Sequence, residues 1–157
     1  MPLDILNRQR KVPLPLATVR PRLEAALRAA GVESRETTLT LVSDAAIRRL
    51  NREWRDIDRP TDCLSFPADE GEGAGFAGDY LGDIVISLER AREQGPIHLS
   101  ADLPPQCDPL VEEVVFLFVH SLLHLMGHDH HRPAQTRRMR TEEQRIMAAP
   151  GVGPCRT

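Results

Sequence analysis

The sequence predicts an α+β fold, a single domain in which a small mixed β-sheet is covered by helices, with a metal site at the end of a buried central helix. Three observations carry that prediction. Strand-patterned runs alternate with helix-patterned segments, first as strand then helix and later as two strands in succession followed by long helices, which is the order expected of a mixed sheet. On the helix opened by Asp108, the residues around His120 and His124, from Phe116 to Met126, are apolar nearly all round, as a helix is when it lies in the core. Five of the six histidines fall in one stretch, HSLLHLMGHDHH, from His120 to His131.

Taken in order, Leu3 and Ile5 form a short edge strand running into a basic turn of Arg8, Arg10 and Lys11, closed by Pro13 and Pro15. From Ala17 to Ala30, Val19, Leu23, Ala26, Leu27 and Ala30 recur at helical spacing, and Gly31 supplies the stop. Thr37 to Val42 alternates Thr with Leu or Val, the period of a strand. Ser43 and Asp44 then cap a helix that runs to about Trp54, with Ile47 and Leu50 facing inward. Asp62–Phe66 and Tyr80–Ser87 are β-rich and flank a loop of Gly, Ala and acids, Pro67 to Asp79, expected to be mobile. A short helix from Ser87 to about Gln94 is expected to end at Gly95 and Pro96, and His98–Cys107 is a Pro-containing connection. The central helix has Asp108 at its N-cap, Pro109 at its first position, Glu112 and Glu113 near the positive dipole end and Gly127 at its stop. A last helix is expected over Pro133 to Ala149, with a flexible tail over the final residues, 148–157.

A chain of 157 residues can bury a sizeable core without disulfides or metal staples, so a metal here would serve function more than folding. The longest apolar run, Val114–Met126, is 13 residues and contains two His and a Ser, too short and too polar to span a bilayer. The N-terminal residues lack the long apolar segment of a signal peptide, so the expected location is cytoplasmic, with no membrane partner. Cys63, Cys107 and Cys155 are far apart and form no CxxC, and are expected to be unpaired thiols. A net charge of -3 argues against coating nucleic acid by bulk electrostatics, yet leaves room for a local basic groove.

His120 and His124 are four residues apart, so their rings leave one helix face a turn from each other and can reach one ion. Gly127 can end the helix in a left-handed conformation and turn the chain back, which lets His130 swing in as a third ligand. Three neutral nitrogens with a fourth position open describe a catalytic zinc rather than a closed structural one, and zinc held this way lowers the pKa of its water toward neutrality. Three histidines at this spacing around a glycine stop outweigh the alternative of satisfied core histidines beside a solvated helix exit. His128 and His131 lie in the exit turn and are expected to face solvent, substrate or the surroundings of the ligands.

Three segments resemble the YbeY family, bacterial endoribonucleases of rRNA maturation and ribosome quality control. The histidine segment resembles the family's HGxLHLxGYDH through His120, Leu123, His124, Leu125, Gly127, Asp129 and His130. Asn51 and Arg55, followed by Asp58, Pro60, Thr61, Asp62, Leu64, Ser65 and Phe66, resemble NxxYRxxDxPTDVLSF, and Leu81–Ser87 resembles LGDIxIS. The likeness spans about residues 35–147, and Ser121, His128, Cys63 and Trp54 depart from it, in place of Gly, Tyr, Val and Tyr.

The resemblance implies a zinc-dependent, single-strand-specific endoribonuclease that matures the 3′ end of 16S rRNA, with one Zn(2+) on His120, His124 and His130. It also implies rRNA and small-subunit components as partners, and Arg55 as the catalytic basic residue of the cleft. Without it, Arg55 is equally one of several arginines on a solvated helix face. Asp62 and Asp83 either orient ligands or are ordinary edge carboxylates, while Asp129 is expected to fix the turn or a ligand imidazole. The spacing also fits metzincin proteases, whose Glu after the first His is the general base, but Ser121 stands there. A non-catalytic, metal-stabilised ribosome assembly factor is the other alternative.

Overall fold

The computed structural model describes residues 3–68, 79–99 and 103–154. The chain runs β1 (Leu3–Asn7), α1 (Leu16–Ala29), β2 (Glu36–Val42), α2 (Asp44–Arg55), β3 (Cys63–Pro67), β4 (Tyr80–Ser87), α3 (Leu88–Leu99), α4 (Pro109–Leu125) and α5 (Pro133–Met147). The strands lie in the order β1-β2-β4-β3, with β1–β2 and β2–β4 parallel and β3 antiparallel to β4. The sheet is therefore mixed, and the two β-rich runs flanking the acidic loop are neighbours, Leu64 opposite Val85 and Phe66 opposite Asp83. Most of that loop, residues 69–78, lies outside the described residues, and its expected mobility with it.

Strand alternation sorts the side chains onto two faces. Leu39 and Leu41 of β2 and Ile84 and Ile86 of β4 enter the larger core, with Leu23 of α1 and Phe118 and Leu122 of α4. Val42, Val85, Leu64 and Phe66 face the other way and pack with Ile47 and Leu50 of α2. α4 crosses the first face, with Val114, Val115, Phe118, Val119, Leu122 and Leu123 fully buried. Each such side chain contributes about 1.5–3 kcal/mol on burial, which makes α4 the element around which the core is assembled.

Three expectations need correction. α3 continues through Gly95 and Pro96, because Gly95 serves close packing rather than a stop: a Cβ there would lie 2.5 Å from the Pro109 carbonyl oxygen. Residues 148–154 are not a free tail, since Val152 is fully buried in the core and its carbonyl accepts from Arg22 Nε at 2.6 Å. Residues 155–157 lie outside the described residues. Cys107 is disulfide-bonded, whereas Cys63 is free; spacing along a chain does not report which cysteines meet in space.

Candidate metal centre

The site is built at the C-terminal end of α4. His120 and His124 share a helix face, and their ring centroids are 4.8 Å apart. Beyond them the chain turns at Gly127, whose φ of 96° is costly for any residue with a Cβ. The Gly127 N–H donates to the His124 carbonyl and the His128 N–H to the Leu123 carbonyl, the paired bonds of a Schellman turn. That reversal carries His130 back over the helix end, its ring 5.2 Å from that of His124 and 6.1 Å from that of His120. One donor atom from each of the three lies within 4.8 Å of the others, so the group can hold a metal ion.

The two helix histidines are also oriented from behind. His120 Nδ1 meets Glu143 Oε1 of α5 at 2.8 Å, and His124 Nδ1 meets the His128 carbonyl oxygen at 3.0 Å. An acceptor at Nδ1 favours the tautomer with its proton there and leaves the Nε2 lone pair free to ligate. Burial, followed by the neighbouring His120 and His130, holds His124 below the ordinary imidazole pKa, so it is neutral as a ligand must be. A second group of donors, Asp129, His130 and His131, is more exposed, and there Asp129 sits 3.3 Å from His131 Nε2. Asp129 Oδ1 also accepts the His130 backbone N–H at 2.7 Å, which fixes the turn rather than a ligand ring.

The histidines form one wall of a cleft of about 580 Å³ whose opposite wall is β3 and the segment before it, including Thr61 and Asp62. Arg55, the last residue of α2, lines the same cleft. Its Nη2 donates to the Ser65 carbonyl at 2.7 Å and its guanidinium lies 5.0 Å from the centre of the Phe66 ring. All four residues singled out from the sequence therefore meet in one place. Asp62 lines the cleft and accepts the Cys63 N–H at 2.8 Å. Asp83 does not join them: it accepts from the Tyr80 hydroxyl at 2.7 Å and lines a groove over the other face of the sheet.

Ser121 is fully buried on the core side of α4, with its hydroxyl toward the Cys63 thiol, whose pKa burial raises. Its carbonyl accepts from Ser65 Oγ at 3.1 Å, which ties α4 to β3. Two contributors were missed from the sequence, Glu143 and the His128 carbonyl. Glu143 is one of two adjacent acids on α5, and only the packing of α5 on α4 decides which of them faces His120. His128 acts through its backbone, which no side-chain pattern reports.

The family model for endoribonuclease YbeY matches residues 4–151 of the chain. The endoribonuclease YbeY of Heliobacterium modesticaldum is 43% identical over 129 residues, covering 77% of this chain and 73% of that protein. The protein of the same name from Geobacter metallireducens is 35% identical over 153 residues, covering 94% of this chain and 95% of its own length. Among solved structures, the solution structure of TM1509 from Thermotoga maritima superposes with a TM-score of 0.55 at 22% identity, covering 97% of this chain and 96% of that one, a likeness of fold.

Proposed function

The chain belongs to the endoribonuclease YbeY family, and from that premise we propose that it cleaves single-stranded RNA with one zinc ion held by His120, His124 and His130. The observation that carries the reading is the presence of three clustered imidazoles, two of them oriented from behind, and Arg55 in one open cleft. When bound, the metal supplies positive charge for the phosphate oxygens and a water of lowered pKa. Arg55 is anchored through Nη2 on the Ser65 carbonyl, which holds the guanidinium at the cleft and leaves Nη1 to donate to a nonbridging oxygen and stabilise the charge that grows there. Glu143 and the His128 carbonyl hold the imidazole protons at Nδ1, so the rings keep their orientation while substrate enters.

The protease alternative is not favoured. It requires an acid after the first histidine, where a carboxylate would take a proton from the attacking water and pass it to the leaving amine. Ser121 at that position is fully buried against β3. The role of a purely structural metal is not favoured either, because His130 is exposed and all three histidines line an open cleft. We place the activity in maturation of the 16S rRNA 3′ end and in ribosome quality control, in the cytoplasm and with small-subunit components as partners. No helix among the described residues is long and apolar enough to cross a membrane.

The test is cleavage of single-stranded and structured rRNA fragments by the zinc-loaded protein, beside unfolded casein. Single-stranded RNA should be cut, a chelator should stop the reaction, and casein should remain whole. Arg55→Glu should abolish cleavage with metal content and fold unchanged; full activity in that variant would return Arg55 to the solvated surface. Metal-dependent loss of casein with RNA left intact, removed by His124→Ala, would establish the protease instead.

A further inference from the structure

Behind the metal cleft lies a second groove, of about 490 Å³, on the face of the sheet that packs α2. α2 is short and covers one end of that face, where Ile47 and Leu50 pack on Val42 and Val85. Alongside it the groove is walled by Leu50 and Trp54 of α2 and by Phe66, with Thr40, Asp83 and Val85 of the sheet beneath. Trp54 is 65% exposed and is the chain's single tryptophan. Its ring stands edge-on to Phe66, with centroids 6.3 Å apart and planes at 71°, so the two make a corner that a flat ring can enter. Arg55 and Pro67 line both this groove and the metal cleft, so the two adjoin at those residues.

We propose that this groove takes an unpaired nucleobase of the RNA whose phosphate lies at Arg55, stacked on Trp54 and read at its edge by Asp83 and Thr40. The proposal rests on the endoribonuclease reading and adds a subsite to it. Each part of a nucleotide finds its match. An exposed aromatic face accepts any base by stacking. Asp83 accepts the Tyr80 hydroxyl at Oδ1, and as a carboxylate lining the groove it keeps further acceptor capacity for a ring or exocyclic N–H. The same carboxylate repels phosphate, so the backbone stays on the Arg55 side and the base, not the sugar-phosphate chain, fills the groove. The lining is mostly apolar, as a base's faces require, but an apolar peptide segment would press against the Asp83 carboxylate and the Thr40 hydroxyl without answering them.

Because Trp54 is the single tryptophan, its emission reports on this groove alone. The zinc-loaded protein would be titrated with an uncleavable 2′-O-methyl oligoadenylate, and in parallel with an abasic oligomer of the same backbone length, each carrying an end label for anisotropy. The oligoadenylate should quench Trp54 and the abasic strand should not. Trp54→Ala should weaken oligoadenylate binding roughly tenfold, within the range of base–aromatic stacking, and leave abasic binding and zinc content unchanged; Trp54→Phe should recover most of the loss. Equal oligoadenylate affinity in wild type and Trp54→Ala, with emission unmoved, would overturn the subsite while continued RNA cleavage left the endoribonuclease reading standing. Equal quenching by the abasic strand would assign the groove to the backbone, and emission that moves with protein concentration alone would assign it to a second copy; either result rejects the proposal. If neither strand binds and RNA is not cut, both readings fall together.

Discussion

The two ends of α4 treat buried polar side chains in opposite ways. At the N-terminal end, Glu112 is gripped by both terminal nitrogens of Arg22 at 2.7 and 2.6 Å, and Arg22 also holds the Val152 carbonyl. Glu113, one position on, meets His98 Nδ1 through Oε1 at 3.1 Å while Oε2 has no hydrogen-bond partner among the described residues, and its pKa is raised chiefly by burial. At the C-terminal end, His120 and His124 are each held at one nitrogen by a protein acceptor, and the other is left to face a cleft. One helix thus turns its polar groups to partners within the protein at one end, with one Glu113 oxygen left over in the interior, and at the other leaves a nitrogen of each to an outside ligand. A polar residue on a buried helix marks a site only when its partners leave an atom over and that atom reaches solvent.

The sharpest way to break this comparison is to remove a ligand. His124→Ala should lose stoichiometric zinc and reduce RNA cleavage by more than ~100-fold, beyond what losing an orienting partner costs. His128→Ala should keep its metal, because His128 contributes a carbonyl. Metal content by mass spectrometry on the three ligand variants and His128→Ala decides it: full occupancy in His130→Ala with loss in His128→Ala would place the third ligand elsewhere.

At the opposite end the same deletion should act on stability alone. Arg22→Ala leaves the Glu112 carboxylate buried without its bidentate partner, with side-chain exposures of 12% for Arg22 and 3% for Glu112. Breaking such a pair costs about 3–5 kcal/mol. Urea unfolding should show that loss, while zinc per folded molecule stays at the wild-type level. A loss under ~1 kcal/mol would mean that the pair behaves as a surface bridge.

Much of this contrast is legible in the sequence, but unevenly. The histidine end is, because an i, i+4 pair followed by a glycine stop fixes geometry through local backbone rules, and those rules hold at Gly127. The strands β2, β3 and β4 and the limits of α2 and α4 follow from alternation and caps, with Ser43 Oγ accepting the Ala46 N–H and Asp108 the Leu110 N–H. The acidic end is not legible: Glu112 and Glu113 fit the helix dipole as well as they fit burial, and their partners lie 90 and 15 residues away. The same limit hides Glu143, the buried Val152 and the role of Gly95, each of which depends on which elements pack together. Arg55 becomes a site residue only through family resemblance, because a helix-end arginine has no distinguishing pattern of its own.

Glu143 sharpens the comparison, since its carboxylate meets the ring of a candidate ligand, His120. Glu143→Ala removes the acceptor behind His120 without touching a ligand and should weaken zinc binding by about 10–100-fold, read by competition with a chromogenic chelator. Glu143→Gln keeps an oxygen in place and should lose less. If both variants bind zinc as wild type does, His120 is oriented by packing alone.

The smallest effect is expected from Glu113, and its sign separates burial from pairing. Burial raises the folded-state pKa above the unfolded value, while His98 opposes the shift and Asp62 adds to it. The folded chain therefore binds more protons than the unfolded chain in the window between those two values, and stability there falls as pH rises. Below the ordinary carboxylate range the protonated group carries no such cost; above the raised value the full cost of the buried carboxylate is present. Glu113→Gln removes this titration and keeps an oxygen to accept from His98. Urea unfolding from about pH 4 to pH 7 should show the variant gaining on the wild type as pH rises through the window, then holding a constant lead. The opposite slope, with the wild type gaining on the variant, would show that Glu113 is stabilised as a carboxylate by His98. In that case Glu113 would be closed by charge as fully as Glu112, and its unpartnered oxygen would no longer mark the acidic end of α4 as incompletely satisfied.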